Sequence, residues 1–311
     1  MTTARADLEN SSPPGAFVRS GILRFPRAFP QLARRLLAAA LAAALAALAP
    51  VPALAQNEPE FFEKPYAEGQ WNLGRRLDES QLRYCVDKRD GDWEVAAAIA
   101  DAIAGALLLE PQRYVVESDL VMEDITRVYA LMLEHCDLHM GFKLLPEGYA
   151  NWATLTAAYY DTQYVFVTAD PGLKSMADLK AGRTIGATLG TSAHVRLVSY
   201  LTALPSGQRW RAFPMGTNDL ALESLLSGSV DVALVWAPVL WGKQRQDPAY
   251  ANLRVIDPAP LPATTMGVGG LLLADRTFLR SAIDEAIAAL RADGTIGKIL
   301  ESFDFPATAG P

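Results

Sequence analysis

The 311-residue chain has only two cysteines and three histidines, which leaves little for metal chemistry. Two cysteines cannot build a Cys-rich structural zinc site. His135 and His139, read as one strand, would stand about 13 Å apart at ~3.3 Å per residue, too far to share an ion. There is no G-x-S-x-G nucleophile elbow. The one Gly-Thr-Ser turn lacks the lysine of a phosphate-binding loop and the glycine spacing of a dinucleotide fingerprint. Basic residues are also in the minority, with 28 Lys and Arg against 35 Asp and Glu and a net charge of −7. An acidic chain without basic clusters in its body is a poor partner for nucleic acid or an anionic membrane.

The basic residues that do cluster lie at the start. Arg19, Arg24, Arg27, Arg34 and Arg35 precede the apolar run Leu36–Ala49, which is followed by the small-x-small sequence Ala53–Ala55. This order predicts a secretory signal peptide over residues 1–55, cleaved after Ala55, with no membrane anchor afterwards. The alternative, an uncleaved anchor, needs about 20 apolar residues, more than the run supplies. The first 55 residues carry six arginines and two acids, so the other 256 hold 22 basic and 33 acidic side chains. Export places Cys85 and Cys136 in an oxidising compartment, where a disulfide between them is expected. Residues 56–81 are polar and broken by Pro59, Pro65 and Gly69, and are expected to form a leader segment anchored by Phe61, Phe62 and Trp71.

From Leu82 onward, apolar runs alternate with amphipathic stretches. Strands are predicted at "LRYCV", "RYVV", "CDLHMGF" and "TQYVFVT", with helices over Trp93–Leu108 and Glu123–Glu134 between the first three. Val95, Ile99, Ile103 and Leu107 recur every four residues, as one helix face requires. This order implies a parallel sheet covered by helices. Past Pro171–Gly172 a second series starts. A short helix at "KSMADLKA" precedes the strand "RTIGATL", a helix over Ser192–Leu201 and a strand at "RWRAF". A helix over Asp219–Leu226, the strand "VDVALVW", a helix over Ala237–Arg245 and the strand "LRVID" follow. The strand "MGVGGLLLA" and helices over Arg276–Ala292 and Thr295–Phe303 complete the chain. Two such series joined by two extended crossings imply two lobes and a cleft. Ligands of open α/β sheets bind at the carboxyl ends of the strands.

Candidate site residues lie at those ends. In "GATLGTSAHVRLVSYL" a strand turns through Gly190, Thr191 and Ser192 into a helix whose first N–H groups and dipole attract an anion. The competing role is simple capping by Thr191 or Ser192. The loop "VDKRDGDWE" gathers Asp87, Asp90, Asp92 and Glu94 without EF-hand spacing, and favours the helix start over a metal. Ser192 and His194 are sequence neighbours at one helix start, too weak a sign for a triad. Tyr149, Trp152, Tyr159, Tyr160, Trp236 and Trp241 crowd strand ends, as an apolar cleft wall or an interface would.

These segments in this order resemble extracytoplasmic solute-binding proteins of family 3. The likeness is carried by "KSMADLKAGRTIGATLGTSA", "DLALESLLSGSVDVALVW" and "MGVGGLLLADRTFLRSAIDEAIAALRADGTIGKILESF". It implies the two-lobed periplasmic binding protein type II fold, with two Rossmann-like α/β lobes joined by hinge strands at Thr162–Thr168 and Ala263–Leu273. Lobe one is expected over residues 82–168 plus 266–306, lobe two over 169–265, and a tail over 307–311. The resemblance also promotes the helix N-terminus at Thr191 and Ser192, beside Gly190, to a carboxylate or anion contact. Two departures stand against an α-amino acid ligand. No arginine lies between Lys143 and Arg183, where the family carries its carboxylate clamp, and Trp236 ends the strand that the family ends in Asp. Loss of both removes a bidentate clamp and its counter-charge.

"CVD", "CDLHMGF", "AYYDTQYVFVT" and "VDVALVWAP" are similar to the periplasmic J proteins that accompany PQQ-dependent methanol dehydrogenases (MxaJ/XoxJ type), which carry Cys at both equivalent places. The expected function is therefore a non-enzymatic, monomeric periplasmic accessory factor without a cofactor, partnered by a quinoprotein dehydrogenase. The alternatives are a receptor delivering a small molecule to an ABC permease and, third, an enzyme on the same fold. The expected cleft residues are Asp87, Tyr149, Trp152, Tyr159, Gly190, Thr191, Ser192, Trp236 and Trp241.

Overall fold

The computed structural model describes residues 80–117, 125–145 and 148–310. The signal peptide, nearly all of the leader segment and the expected start of the second helix at Glu123 lie outside the described residues.

The first series folds as β1 (Gln81–Asp87), α1 (Trp93–Ala106), β2 (Glu110–Val116), α2 (Ile125–Glu134) and β3 (Leu138–Lys143). β1 lies parallel to both β2 and β3. α1 buries Val95, Ile99 and Ile103, the apolar stripe legible in its spacing. Cys85 on β1 and Cys136 just before β3 form a disulfide, with their Cα atoms 5.6 Å apart, within the range such bonds require. His135 lies in the turn directly after α2, not in the strand: its N–H donates to Leu131 O and its ring stacks on Tyr114 at 4.2 Å. The strand-based spacing between His135 and His139 therefore does not apply.

A three-residue strand absent from the sequence expectation, β4 (Ala153–Leu155), pairs with the last strand and is too short to show a period. β5 (Tyr160–Thr168) leads into the second series. In place of the helix expected at "KSMADLKA" stands one 3-10 turn, Met176–Asp178. Lys174 O and Met176 N–H are bonded to the backbone of Asp257, so the segment cannot keep helical pairing. The series continues as β6 (Thr184–Thr188), α3 (Ser192–Ala203), β7 (Arg211–Met215), α4 (Asn218–Leu226), β8 (Val232–Trp236), α5 (Ala237–Gln246) and β9 (Arg254–Ile256). Then come β10 (Thr264–Leu273), α6 (Thr277–Ala292) and α7 (Thr295–Ser302), the last two split by Gly294 at φ 78°.

The strands run β2-β1-β3-β10-β5-β8-β6-β7, with β4 beside β10 and β9 beside β5. β5 and β10, expected as separate crossings, lie side by side and antiparallel in the middle of the order. The result is a mixed α/β, two-lobed fold. Two further contacts join elements from either side of this pair. Gly91, in the β1–α1 loop, meets Gly242 of α5 backbone to backbone, and a Cβ on Gly242 would lie 2.8 Å from Gly91 Cα. The Trp241 indole N–H donates to Asp304 O at 3.0 Å, and its ring meets Phe305 edge-on.

Two stability outcomes are expected. The disulfide spans a sequence separation of 51, so the C85A/C136A protein should lose about 2–4 kcal/mol in urea unfolding, from the unfolded-chain entropy it no longer restricts. Gly242→Ala should lose about 1–3 kcal/mol by overpacking against Gly91. On an open helix the same change would gain up to about 1 kcal/mol, so the sign of the shift in the urea midpoint decides.

Candidate functional site

A cavity of about 490 Å3 lies at the carboxyl ends of β1, β3 and β8, within the size range of small-molecule sites. Its walls come from the β1–α1 loop (Arg89 to Asp92), the end of β3 (His139 to Lys143) and Tyr160 on β5. Ile125 at the start of α2, Leu145, the segment Gly148–Ala150, Asn218 at the start of α4, Trp236 at the end of β8, Val239 on α5 and Val268 on β10 supply the rest.

Of the residues expected in the cleft, Tyr149 and Trp236 line this cavity. The Tyr149 hydroxyl donates to Lys143 O at 2.6 Å and its ring meets Phe142 at 5.8 Å. Trp236 packs on Tyr164 with ring centres 4.9 Å apart. The others are placed elsewhere. Asp87 is buried behind the loop and accepts the Arg89 N–H at 2.9 Å together with its guanidinium. Burial pushes its carboxyl up, and the bonds from Arg89 outweigh this and hold it below its ordinary value. Trp152 is buried against Tyr129 on the disulfide side of the sheet, where its ring fills core volume. The buried Tyr159 turns its hydroxyl to accept the Gly141 N–H at 2.9 Å, so its neighbour Tyr160 faces the cavity instead. Trp241 is held by Asp304 and Phe305.

The Gly-Thr-Ser turn also lies off the cavity lining. Gly190 has φ 80°, the left-handed conformation that favours glycine. Thr191 caps α3, its hydroxyl accepting the His194 N–H at 3.1 Å while donating to Thr188 O at 2.8 Å. Ser192 follows as the first residue of the helix. The helix start that reaches the cavity is the next one, α4, through Asn218.

Two contributors, Lys143 and Asn218, were not singled out from the sequence, and His139 was weighed there only as a metal ligand. Lys143 Nζ lies 4.5 Å over the Trp236 ring and 5.3 Å over Tyr164, and donates to the Tyr164 hydroxyl at 3.3 Å. Asn218 Oδ1 accepts from the Trp236 N–H at 3.2 Å and from the Thr188 hydroxyl at 3.0 Å. His139 is buried, its Nδ1 3.0 Å from Met140 O. That carbonyl can only accept, which assigns the proton to Nδ1, and Nε2 has no partner among the described residues. Burial lowers the imidazole's affinity for a second proton, outweighing Met140 O and Asp87. The buried Asp92 accepts from the Tyr160 hydroxyl. Burial raises its pKa despite that bond.

No protein-family model and no curated protein matches the chain. Solved structures do. An arginine 3rd transport system periplasmic binding protein from Legionella pneumophila is 14% identical with a TM-score of 0.52, covering 72% of this chain and 100% of its own. The GluR0 ligand-binding core in complex with L-glutamate is 16% identical with a TM-score of 0.51, covering 72% and 99%. At such identities the likeness is one of fold. The chain has the two-lobed periplasmic binding protein fold of type II.

His139 yields a pH prediction. Its folded pKa is lowered, so its contribution to stability is complete above the unfolded value near pH 6.5 and is lost as pH falls from there towards the folded value. Urea unfolding at pH 7.5 and 5.5 should show a drop in the wild type that shrinks in His139→Gln.

Proposed function

We propose that this chain is an extracytoplasmic solute-binding protein of family 3, the receptor of an ABC transporter for a small solute other than a standard α-amino acid. Its lobes divide at residues 82–168 with 266–306 and at 169–265, and closing them on the solute is a hinge motion about β5 and β10. The observation that carries this reading is the cavity itself. It is lined from both halves of the sheet at the strand ends, and among the described residues it shows no clamp built to grip a zwitterion. Trp236 stands at the end of β8, and the guanidinium of Arg89 is bound to Asp87. The reading is of binding, and part of the polar wall is committed to internal bonds, as in Asp92 with Tyr160 and Tyr149 with Lys143 O. In titration calorimetry of the exported chain, L-arginine and L-glutamate should give no saturable heat. Micromolar binding of either would overturn the reading.

A second reading has its own support. The sequence likeness to the J proteins of methanol dehydrogenases includes both cysteines, and Cys85 and Cys136 are joined here. In this reading the protein is a monomeric accessory factor whose partner is a periplasmic quinoprotein dehydrogenase. Native mass spectrometry after gentle release from the periplasm discriminates between the two. A complex with a quinoprotein supports the accessory role, and a small retained mass supports the receptor.

A further inference from the structure

The cavity already contains an ammonium group that belongs to the chain. Trp236 and Tyr164 form an aromatic corner, their planes 57° apart, and Lys143 Nζ occupies it. Such a corner attracts a cation through the ring quadrupoles. A cationic solute therefore finds the seat taken and meets like charge.

Lys143 has three N–H donors, and one is spent on the Tyr164 hydroxyl. Asn218 is similarly half-used. Its Oδ1 accepts twice, which orients the amide and leaves the NH2 group as donor. Both side chains are half-buried, both line the cavity and both adjoin Trp236, one over the ring and one at its backbone N–H. The acidic groups nearby do not cancel them. Asp87 is paired with Arg89, Asp92 faces Lys143 but is buried, which favours its neutral form, and Asp90 is exposed, where water and salt screen it. Val239 and Val268 add apolar wall to the same cavity.

We propose that Lys143 and Asn218 together hold the carboxylate of a small organic acid that carries no amino group, its hydrocarbon part lying on the apolar wall. The inference rests on the cavity being the solute site, and it names the class of solute. Lys143 is then the residue that sets specificity, attracting the carboxylate and keeping amines out of the aromatic corner.

The test uses straight-chain acids from acetate to hexanoate, with the primary alcohols and primary amines of the same lengths, titrated into the exported chain. An acid of the series should bind at least about tenfold more tightly than its alcohol or amine, as a charge-assisted hydrogen bond implies. Lys143→Met should lose the acid by a similar factor and gain the matching amine, because the Trp236–Tyr164 corner is vacated. Lys143→Arg should retain the acid, which separates loss of charge from loss of fold. Binding of an alcohol or amine in preference to the acid overturns the proposal and leaves the cavity as solute site intact. Acid binding unchanged in Lys143→Met does the same. Absence of binding across all three series overturns the proposal. If small molecules extracted from the periplasm also fail to bind, the solute-site reading falls with it.

Discussion

The antiparallel pairing of β5 with β10 is the constraint on which the rest of the molecule depends. Its register runs from Thr264 opposite Tyr164 to Val268 opposite Tyr160. Each strand then carries a different half of the fold, β10 pairing with β3 and β4 and β5 with β8 and β9. The arrangement turns the carboxyl ends of β1 and β3 towards that of β8. The two strands also contribute Tyr160 and Val268 to the cavity wall. On the other side of β10, a close approach lets it lie beside β3: a Cβ on Gly270 would run into the side chain of Leu138 on β3. A larger residue there would push β10 off its neighbour.

Around that frame the charged groups are arranged to satisfy one another. Burying an ionised group is costly unless it is paired and hydrogen-bonded. Asp87 meets that requirement with Arg89 at the base of the β1–α1 loop, while burial raises the pKa of Asp92, which accepts from the neutral Tyr160 hydroxyl. Lys143 meets the same requirement with two aromatic faces and a hydroxyl. The consequence is a cavity held in shape before anything enters it, which lowers the ordering cost of binding. The disulfide between Cys85 and Cys136 supports the same wall from behind, tying β1 to the segment that enters β3.

The halves are also held together away from the hinge strands. Gly91 and Gly242 allow a loop and a helix to touch through their backbones, which two larger residues would prevent. Trp241 reaches Asp304 and Phe305, and Pro306 O in turn accepts from the Thr162 hydroxyl on β5 at 2.7 Å. One continuous apolar cluster includes Ile99 of α1 and Leu197 of α3. The fold therefore carries its two lobes on a shared core, with the cavity at one side of it.

What the sequence by itself determined was the order of the longer elements, the parallel pairing of the first three strands and the stripe of α1, because apolar periodicity is local and is written in neighbouring residues. The pairing of Cys85 with Cys136 was legible too, since there were only two cysteines and the start of the sequence predicts export. Capping by Thr191 was visible as one of two roles. The tertiary structure alone decided which aromatic faces the cavity. Tyr159 and Tyr160 alternate across a strand, and only packing against Gly141 and Asp92 assigns one to the interior and the other to the site. Trp152 and Trp241 are indistinguishable from Trp236 as letters, yet Tyr129 and Phe305 claim the first two. Lys143 was passed over because a lysine at the end of a strand is ordinarily solvated. Its role comes from Trp236, 93 positions away along the chain, a contact that exists only once β3 and β8 have been brought to the same cavity by the strands between them.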